Sequence, residues 1–244
     1  GVFSVCFQRV DYWGRIVPVL DFLLGWATPE SAAHYDPAAL RPEDRARAGQ
    51  ARGTRADRDW RVSRALLASL PRGHRAASLS HSKGHALCVA LAPDEPDRRV
   101  GVDLERVRPR DAAALGRWVC DAGEQQVLAR LQADPGRQLE YFYMLWVLKE
   151  AFIKAAGLDF PADMQGVGFD GEPEGALRLR PPAGAWNARL LRLEPDWMAA
   201  LVWEGGDAAM PRLTWHAAPA TALPSLHSLG HWTGVGSPPE KPAC

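Results

Sequence analysis

Gly101-Val102-Asp103-Leu104-Glu105 alternates apolar and acidic side chains. Successive residues of a strand point to opposite faces, so Val102 and Leu104 project into a core while Asp103 and Glu105 project together to the other side. Taken alone, such a stripe is commonly the solvated face of a sheet. Two neighbouring stretches change that reading. Upstream, Ser80-His81-Ser82-Lys83-Gly84 precedes the apolar run Ala86–Leu91, and Pro93-Asp94-Glu95-Pro96-Asp97-Arg98 is rich in turn residues. Ala86–Leu91 and Arg99–Glu105 are therefore expected to pair as an antiparallel hairpin, with Ala86 opposite Glu105 and Cys88 opposite Asp103. This folding brings the Ser-His-Ser-Lys-Gly loop to the same end as the carboxylates. Gly84 is free to take a positive φ that turns backbone amides toward a phosphate, and Ser80, His81 and Ser82 add donors.

Downstream lies Trp146-Val147-Leu148-Lys149-Glu150-Ala151-Phe152-Ile153-Lys154. Residues four apart share a helix face, so Glu150 and Lys154 sit one turn from each other; by itself this is an ordinary surface pair contributing about 0.2–0.5 kcal/mol. Three carboxylates, a lysine and an anion-binding loop in one place suit Mg²⁺ carrying a pyrophosphate, because Mg²⁺ is usually held by a few hard oxygen ligands, with water and substrate phosphates completing its shell.

Ser80-His81-Ser82, then Gly101-Val102-Asp103-Leu104-Glu105, then Trp146-Val147-Leu148-Lys149-Glu150 running on to Lys154 and Gly157 resemble three ordered motifs of the surfactin-type 4′-phosphopantetheinyl transferases. Their patterns are S-H-S, G-x-D-x-E and W-x-x-K-E-x-x-x-K-x-x-G. The resemblance covers roughly residues 40 to 205. It implies an α+β fold of two similar α/β halves with antiparallel sheets, related by a pseudo-two-fold axis, with coenzyme A in the cleft between them. It further implies that Asp103, Glu105 and Glu150 ligate Mg²⁺, that Lys154 contacts the coenzyme A pyrophosphate, and that Ser80 and His81 contact phosphate. Arg47, and Arg45 beside it, match the family's N-terminal basic stretch and are candidates for the nucleotide 3′-phosphate, which a guanidinium fork suits. The implied reaction passes phosphopantetheine from coenzyme A to a serine of an acyl, peptidyl or aryl carrier protein, with Glu150 and Lys154 as the catalytic candidates. Glu150 is either the base or only a metal ligand, and Lys149 either a phosphate contact or a structural partner.

The chain departs from the family between its first long helix and the Ser-His-Ser stretch. The family has a longer segment with Gly-Lys-Pro, and only Ser69–Ala77 stands here. The missing lysine leaves Arg72 or Arg75 as substitutes. A carrier is expected to dock near Arg117–Leu128, unless Trp118, Val127 and Leu128 are simply core. Two other function classes remain compatible: a non-catalytic coenzyme A or carrier-protein binding module, and a Mg²⁺-dependent pyrophosphate hydrolase.

The 244 residues are 47% hydrophobic and balance 29 Lys and Arg against 29 Asp and Glu, enough chain for a full core and without the positive excess that general nucleic-acid binding needs. Cys6, Cys88, Cys120 and Cys244 form no Cys-x-x-Cys pair, so neither a zinc site nor a disulfide framework is signalled. The apolar run Ile16–Ala27 is interrupted by Pro18 and Asp21 and is shorter than the ~20 residues that cross a bilayer. No membrane association and a cytoplasmic location are expected. Three segments are anticipated: residues 1–98 as an N-terminal half, 99–205 as a C-terminal half with the metal site, and 206–244 as a Pro, Ala and Gly-rich extension, partly disordered. Helices are expected over Pro42–Gln50, Arg55–Leu70, Ala112–Val119, Gly123–Gln132 and Gln138–Ala156, and four alternating runs between Gly166 and Trp203 are expected to make one antiparallel sheet.

Overall fold

The computed structural model describes residues 9–10, 16–17, 20–206 and 211–238. Cys6, Trp13 and Cys244 lie outside them. A two-stranded ribbon, β1 (Arg9–Val10) and β2 (Ile16–Val17), precedes β3 (Asp21–Ala27), α1 (Pro42–Ala48) and α2 (Thr54–Ser69). Then come β4 (Arg75–Ser82), β5 (His85–Leu91), β6 (Val100–Arg106), α3 (Ala112–Val119), α4 (Ala122–Arg130) and α5 (Pro135–Ala156). The remaining strands are β7 (Gly168–Asp170), β8 (Arg178–Arg180), β9 (Gly184–Leu193), β10 (Trp197–Glu204), β11 (Arg212–Ala217) and β12 (Leu226–Gly236).

The architecture is α+β with two like halves. One sheet has the order β11-β3-β5-β4 and the other β12-β9-β10-β6. All pairings are antiparallel except β11 with β3, which run parallel. Alternation along β3, β5, β6 and β10 sends Phe22, Leu24, Leu87, Val89, Val102, Leu104, Leu201 and Trp203 into a shared core between the sheets. The outer face of the first sheet packs Ala86 and Cys88 against Val62 and Leu66 of α2. The outer face of the second packs Ala188, Leu190, Ala200 and Val202 under α5, whose opposite side is covered by residues of α3 and α4 such as Val119, Val127 and Leu128. A helix covered on both sides must be apolar nearly all round, which explains why Phe142, Leu145, Leu148 and Phe152 are all fully buried.

Helix ends follow their sequence signals. Asp111 and Asp134 accept from Ala114 N and Arg137 N at the starts of α3 and α5, and Asp121 with Glu124 forms a full capping box on α4. Gly157 closes α5 in the left-handed conformation at φ 64°.

Three strand expectations are corrected. The hairpin of Ala86–Leu91 with Arg99–Glu105 does not form: β5 pairs with β3 and β4, whereas β6 pairs with β10, placing Ala200 opposite Asp103 and Met198 opposite Glu105. The turn-rich stretch 92–99 instead crosses from one sheet to the other. The four runs between Gly166 and Trp203 do not share one sheet, since β7 and β8 pair only with each other. Residues 206–244 supply β11 and β12, one outer strand for each sheet, where an extension was expected. Among the described residues no helix is long and apolar enough to cross a membrane. Cys88 and Cys120 are free, buried thiols, and burial pushes both up to about 12.

Candidate active site

The site begins with a close approach. A Cβ on Gly101 would stand 2.2 Å from the carbonyl oxygen of Ala151, so only glycine lets α5 lie directly on β6. That contact fixes the acidic face of β6 beneath the Glu150 and Lys154 face of α5. Asp103 is 4% exposed. Its Oδ1 accepts from Lys154 Nζ at 2.8 Å and from Ser80 Oγ at 2.8 Å. Its Oδ2 is buried with no hydrogen-bond partner. Lys154 Nζ also donates to the Val102 carbonyl at 3.1 Å.

Glu105 and Glu150 border this pair. Burial, with the charge of Asp103 next and that of Glu150 adding, pushes the Glu105 carboxyl up to about 7 against the pull of Arg110 and Lys154. Glu150 is raised for the same leading reasons, burial and then Asp103, with Lys154 opposing. Crowded carboxylates of this kind favour any added positive charge. The donor chemistry fits a hard divalent cation: three carboxylates, one with a bare buried oxygen. In the present arrangement Lys154 holds the other oxygen of Asp103, and no three His, Cys, Asp or Glu side chains converge as a metal cluster among the described residues.

The first half contributes the opposite sign. Ser82 and His85 end β4 and β5 across a two-residue turn in which Lys83 (φ 52°) and Gly84 (φ 79°) both take positive φ, the geometry of a tight hairpin. Gly84 N–H donates to Asp59 Oδ1 at 2.5 Å, so this amide is not offered to an anion as the sequence reading expected. His81 is half-exposed and stands 4.0 Å from Asp59 Oδ2 through Nδ1. Burial lowers its proton affinity, the charges of Lys154, Arg64 and Arg47 lower it further, and Asp59 acts the other way. The Arg47 guanidinium lies 5.6 Å from the Trp60 ring centre, and Arg64 lies 4.0 Å from the same ring. Arg64 pairs with the buried Asp44 at 2.8 Å, yet its Nε has no partner. Lys154 is bound to Asp103, and the charges of Lys154, Arg64 and Arg47 all reach His81, so a basic group begins where the carboxylates end.

Several expected residues stand elsewhere or act otherwise. Ser80 is buried with its hydroxyl turned to Asp103, not to the opening. Arg45 is exposed and spends its Nε on the Leu40 carbonyl. Arg75 is tied to the Glu95 carbonyl and to Asp97 at 2.9 Å each, at the far end of β4, about 20 Å from His81 at 3.3 Å per residue. Arg72 is exposed. The added cation near His81 is Arg64. Asp59 was missed, because its role depends on a turn 25 residues away. Lys149 is fully buried, pairs with Glu124 at 2.8 Å and donates to the Met164 and Val167 carbonyls, a structural position. Trp118 is 51% exposed beside Phe160, whereas Val127 and Leu128 are core. A cavity of about 510 Å³ lined by Arg41, His74, Arg75 and Arg98 contains none of the carboxylates.

Residues 99–202 match the model of the 4′-phosphopantetheinyl transferase superfamily. The chain is 32% identical over 120 residues to 4′-phosphopantetheinyl transferase HetI of a Nostoc species, covering 49% of this chain and 46% of that protein. It is 25% identical over 137 residues to 4′-phosphopantetheinyl transferase Sfp of Bacillus subtilis, covering 55% of this chain and 57% of that protein. It is 40% identical over 82 residues to 4′-phosphopantetheinyl transferase AcpT of Salmonella typhi, covering 33% and 39% respectively. The chain thus spans about half the length of the first two.

Proposed function

We propose that this chain, a member of the 4′-phosphopantetheinyl transferase superfamily through residues 99–202, transfers 4′-phosphopantetheine from coenzyme A to a serine of an acyl, peptidyl or aryl carrier protein. The observation that carries the reading is the junction itself: Asp103, with one oxygen on Lys154 and the other bare, beside the raised Glu105 and Glu150, while Lys154 with Arg64 and Arg47 acts on His81.

In this reading Asp103, Glu105 and Glu150 would hold Mg²⁺, after Glu105 and Glu150 turn toward Asp103. When bound, that ion offsets charge on the pyrophosphate oxygens. The carrier serine oxygen attacks the pantetheine-side phosphorus, the bond to the bridging oxygen breaks, and adenosine 3′,5′-bisphosphate leaves. Lys154 neutralises charge developing on the leaving oxygen. Glu150, raised above the ordinary carboxylate range by burial and by Asp103, takes the serine proton. Arg47, Arg64 and His81 grip the 3′-phosphate, in place of the lysine that the shortened segment lacks. The two buried free thiols suit a reducing cytoplasm.

The test is mass spectrometry of an apo carrier protein incubated with the chain, coenzyme A and Mg²⁺. A phosphopantetheine mass increase is expected. Adenosine bisphosphate released without a carrier would indicate a hydrolase, and coenzyme A binding without transfer a binding module; either result sinks the transferase reading.

A further inference from the structure

The second strand edge at the site is sealed by side chains. β6 gives one edge to β10, and its other edge faces β4, with which it exchanges no backbone hydrogen bonds among the described residues. The donors on that free edge would be buried and unpaired without partners from β4, which is costly inside a fold. Ser78 Oγ accepts Val102 N–H at 3.1 Å, and Ser80 Oγ accepts Leu104 N–H at 3.2 Å. The two-residue step on β4 matches the two-residue step on β6. At Ser80 the hydroxyl does more, because its one hydrogen goes to Asp103 Oδ1 at 2.8 Å.

A hydroxyl has a single hydrogen to give. That of Ser80 is committed to a carboxylate in a residue only 6% exposed, so none is left for a phosphate. We infer that Ser80 is a positioning residue for Asp103 and not a contact to the nucleotide, in contrast to the phosphate role that the family resemblance implies. Together with Lys154 it holds Oδ1 and leaves Oδ2 bare. The inference rests on the metal site proposed above and adds that the first half of the chain sets the orientation of a ligand in the second.

Ser78 provides the control, since it seals the same edge without touching Asp103. Mn²⁺ binding, followed by electron paramagnetic resonance with coenzyme A present, and the ratio of kcat/KM for coenzyme A over dephospho-coenzyme A are measured for the parent, Ser78→Ala, Ser80→Ala and Ser80→Cys. Ser80→Ala should weaken Mn²⁺ by about 10–100-fold, as loss of a partner behind a metal ligand does, and leave the substrate ratio unchanged. Ser80→Cys, close in size but a poorer donor, should fall between, and it carries the test if the alanine variant does not fold. Ser78→Ala should bind Mn²⁺ like the parent. Parent-like Mn²⁺ affinity in both Ser80 variants, a fallen substrate ratio with Mn²⁺ affinity intact, or an equal loss in Ser78→Ala would each overturn the inference while leaving the metal site standing. A parent chain that binds no Mn²⁺ would overturn both.

Discussion

Helix α2 buries Asp59, Ser63 and Arg64 alongside the apolar Val62, Ala65 and Leu66, whereas α5 buries Tyr141, Phe142, Leu145, Leu148, Phe152 and other apolar groups, with Lys149 as the one buried charge among its residues. The two helices cover equivalent sheets, and the difference follows from what each supports. Around α2 the interior polar groups hold cations in place: Asp44 on Arg64, and Asp59 on the turn below His81. Around α5 a dry packed layer fixes the backbone, and the carboxylates at its rim have few partners of their own. In the proposed reaction the second half would decide whether transfer occurs, and the first half which nucleotide is gripped.

The strongest way to break this division is at the close approach. Gly101→Ala must push α5 off β6, since its new carbon meets backbone; transfer should fall by at least ~10²-fold, with about 1–3 kcal/mol of stability lost to overpacking. Asp103→Asn should cost a similar factor in kcat while the fold persists, read by transfer rate and circular dichroism. Full activity in either variant would remove the second half from the chemistry.

Lys149→Met comes next and tests packing alone. It leaves Glu124 buried with one charged partner fewer, so roughly 3–5 kcal/mol should be lost in a denaturant titration. At temperatures where the variant stays folded, the coenzyme A preference should not move.

A smaller and more selective effect belongs to the first half. Replacing Arg47 and His81 together with alanine should erase most of the preference for coenzyme A over dephospho-coenzyme A, at about 1.5–3 kcal/mol for each charge-assisted contact. The loss should appear in KM more than in kcat. A preference that survives would leave Arg64 as the residue that carries the grip on the 3′-phosphate.

The smallest expected effect is a slope. The Glu105 carboxyl titrates at about 7 in the fold against 4.5 as its ordinary value, so its protonated form is favoured by folding. Its contribution to stability is complete below pH 4.5 and is lost as pH rises through about 7. With chelator present, the parent Tm should therefore fall between pH 5 and pH 8 more steeply than that of Glu105→Gln. Equal slopes would deny the burial of Glu105 and its crowding by Asp103 and Glu150.

How much of this was legible from the residues varies with the forces involved. Helix α5 and strand β6 were readable because caps, periodicity and alternation all agree over Asp134–Gly157 and Val100–Arg106. Strand β4 was not seen as a strand at all. Its inward-facing residues at the seam, Ser78 and Ser80, are small and polar, so no apolar alternation marks them. For the same reason a turn-rich stretch after β5 was read as a hairpin loop, although turn residues are equally suited to a crossover between sheets. β12 escaped notice because its Gly, Ser and His residues dilute the pattern and a bulge between Ser228 and Gly230 breaks the period. At the site, residue types near the motifs were readable, but the partners of Asp59, Arg64 and Ser80 come from elements 20 or more residues away.

The order in which the chain supplies its strands has a consequence for synthesis. Both sheets wait for β11 and β12, because β11 lies along β3 and β12 along β9. A chain interrupted near residue 205 would display two bare ladder edges at once, the configuration most prone to pair with neighbouring chains. Polypeptide emerging between residue 205 and β12 should therefore be at its stickiest, and truncations after β10 that spare every residue of the site should still yield aggregate.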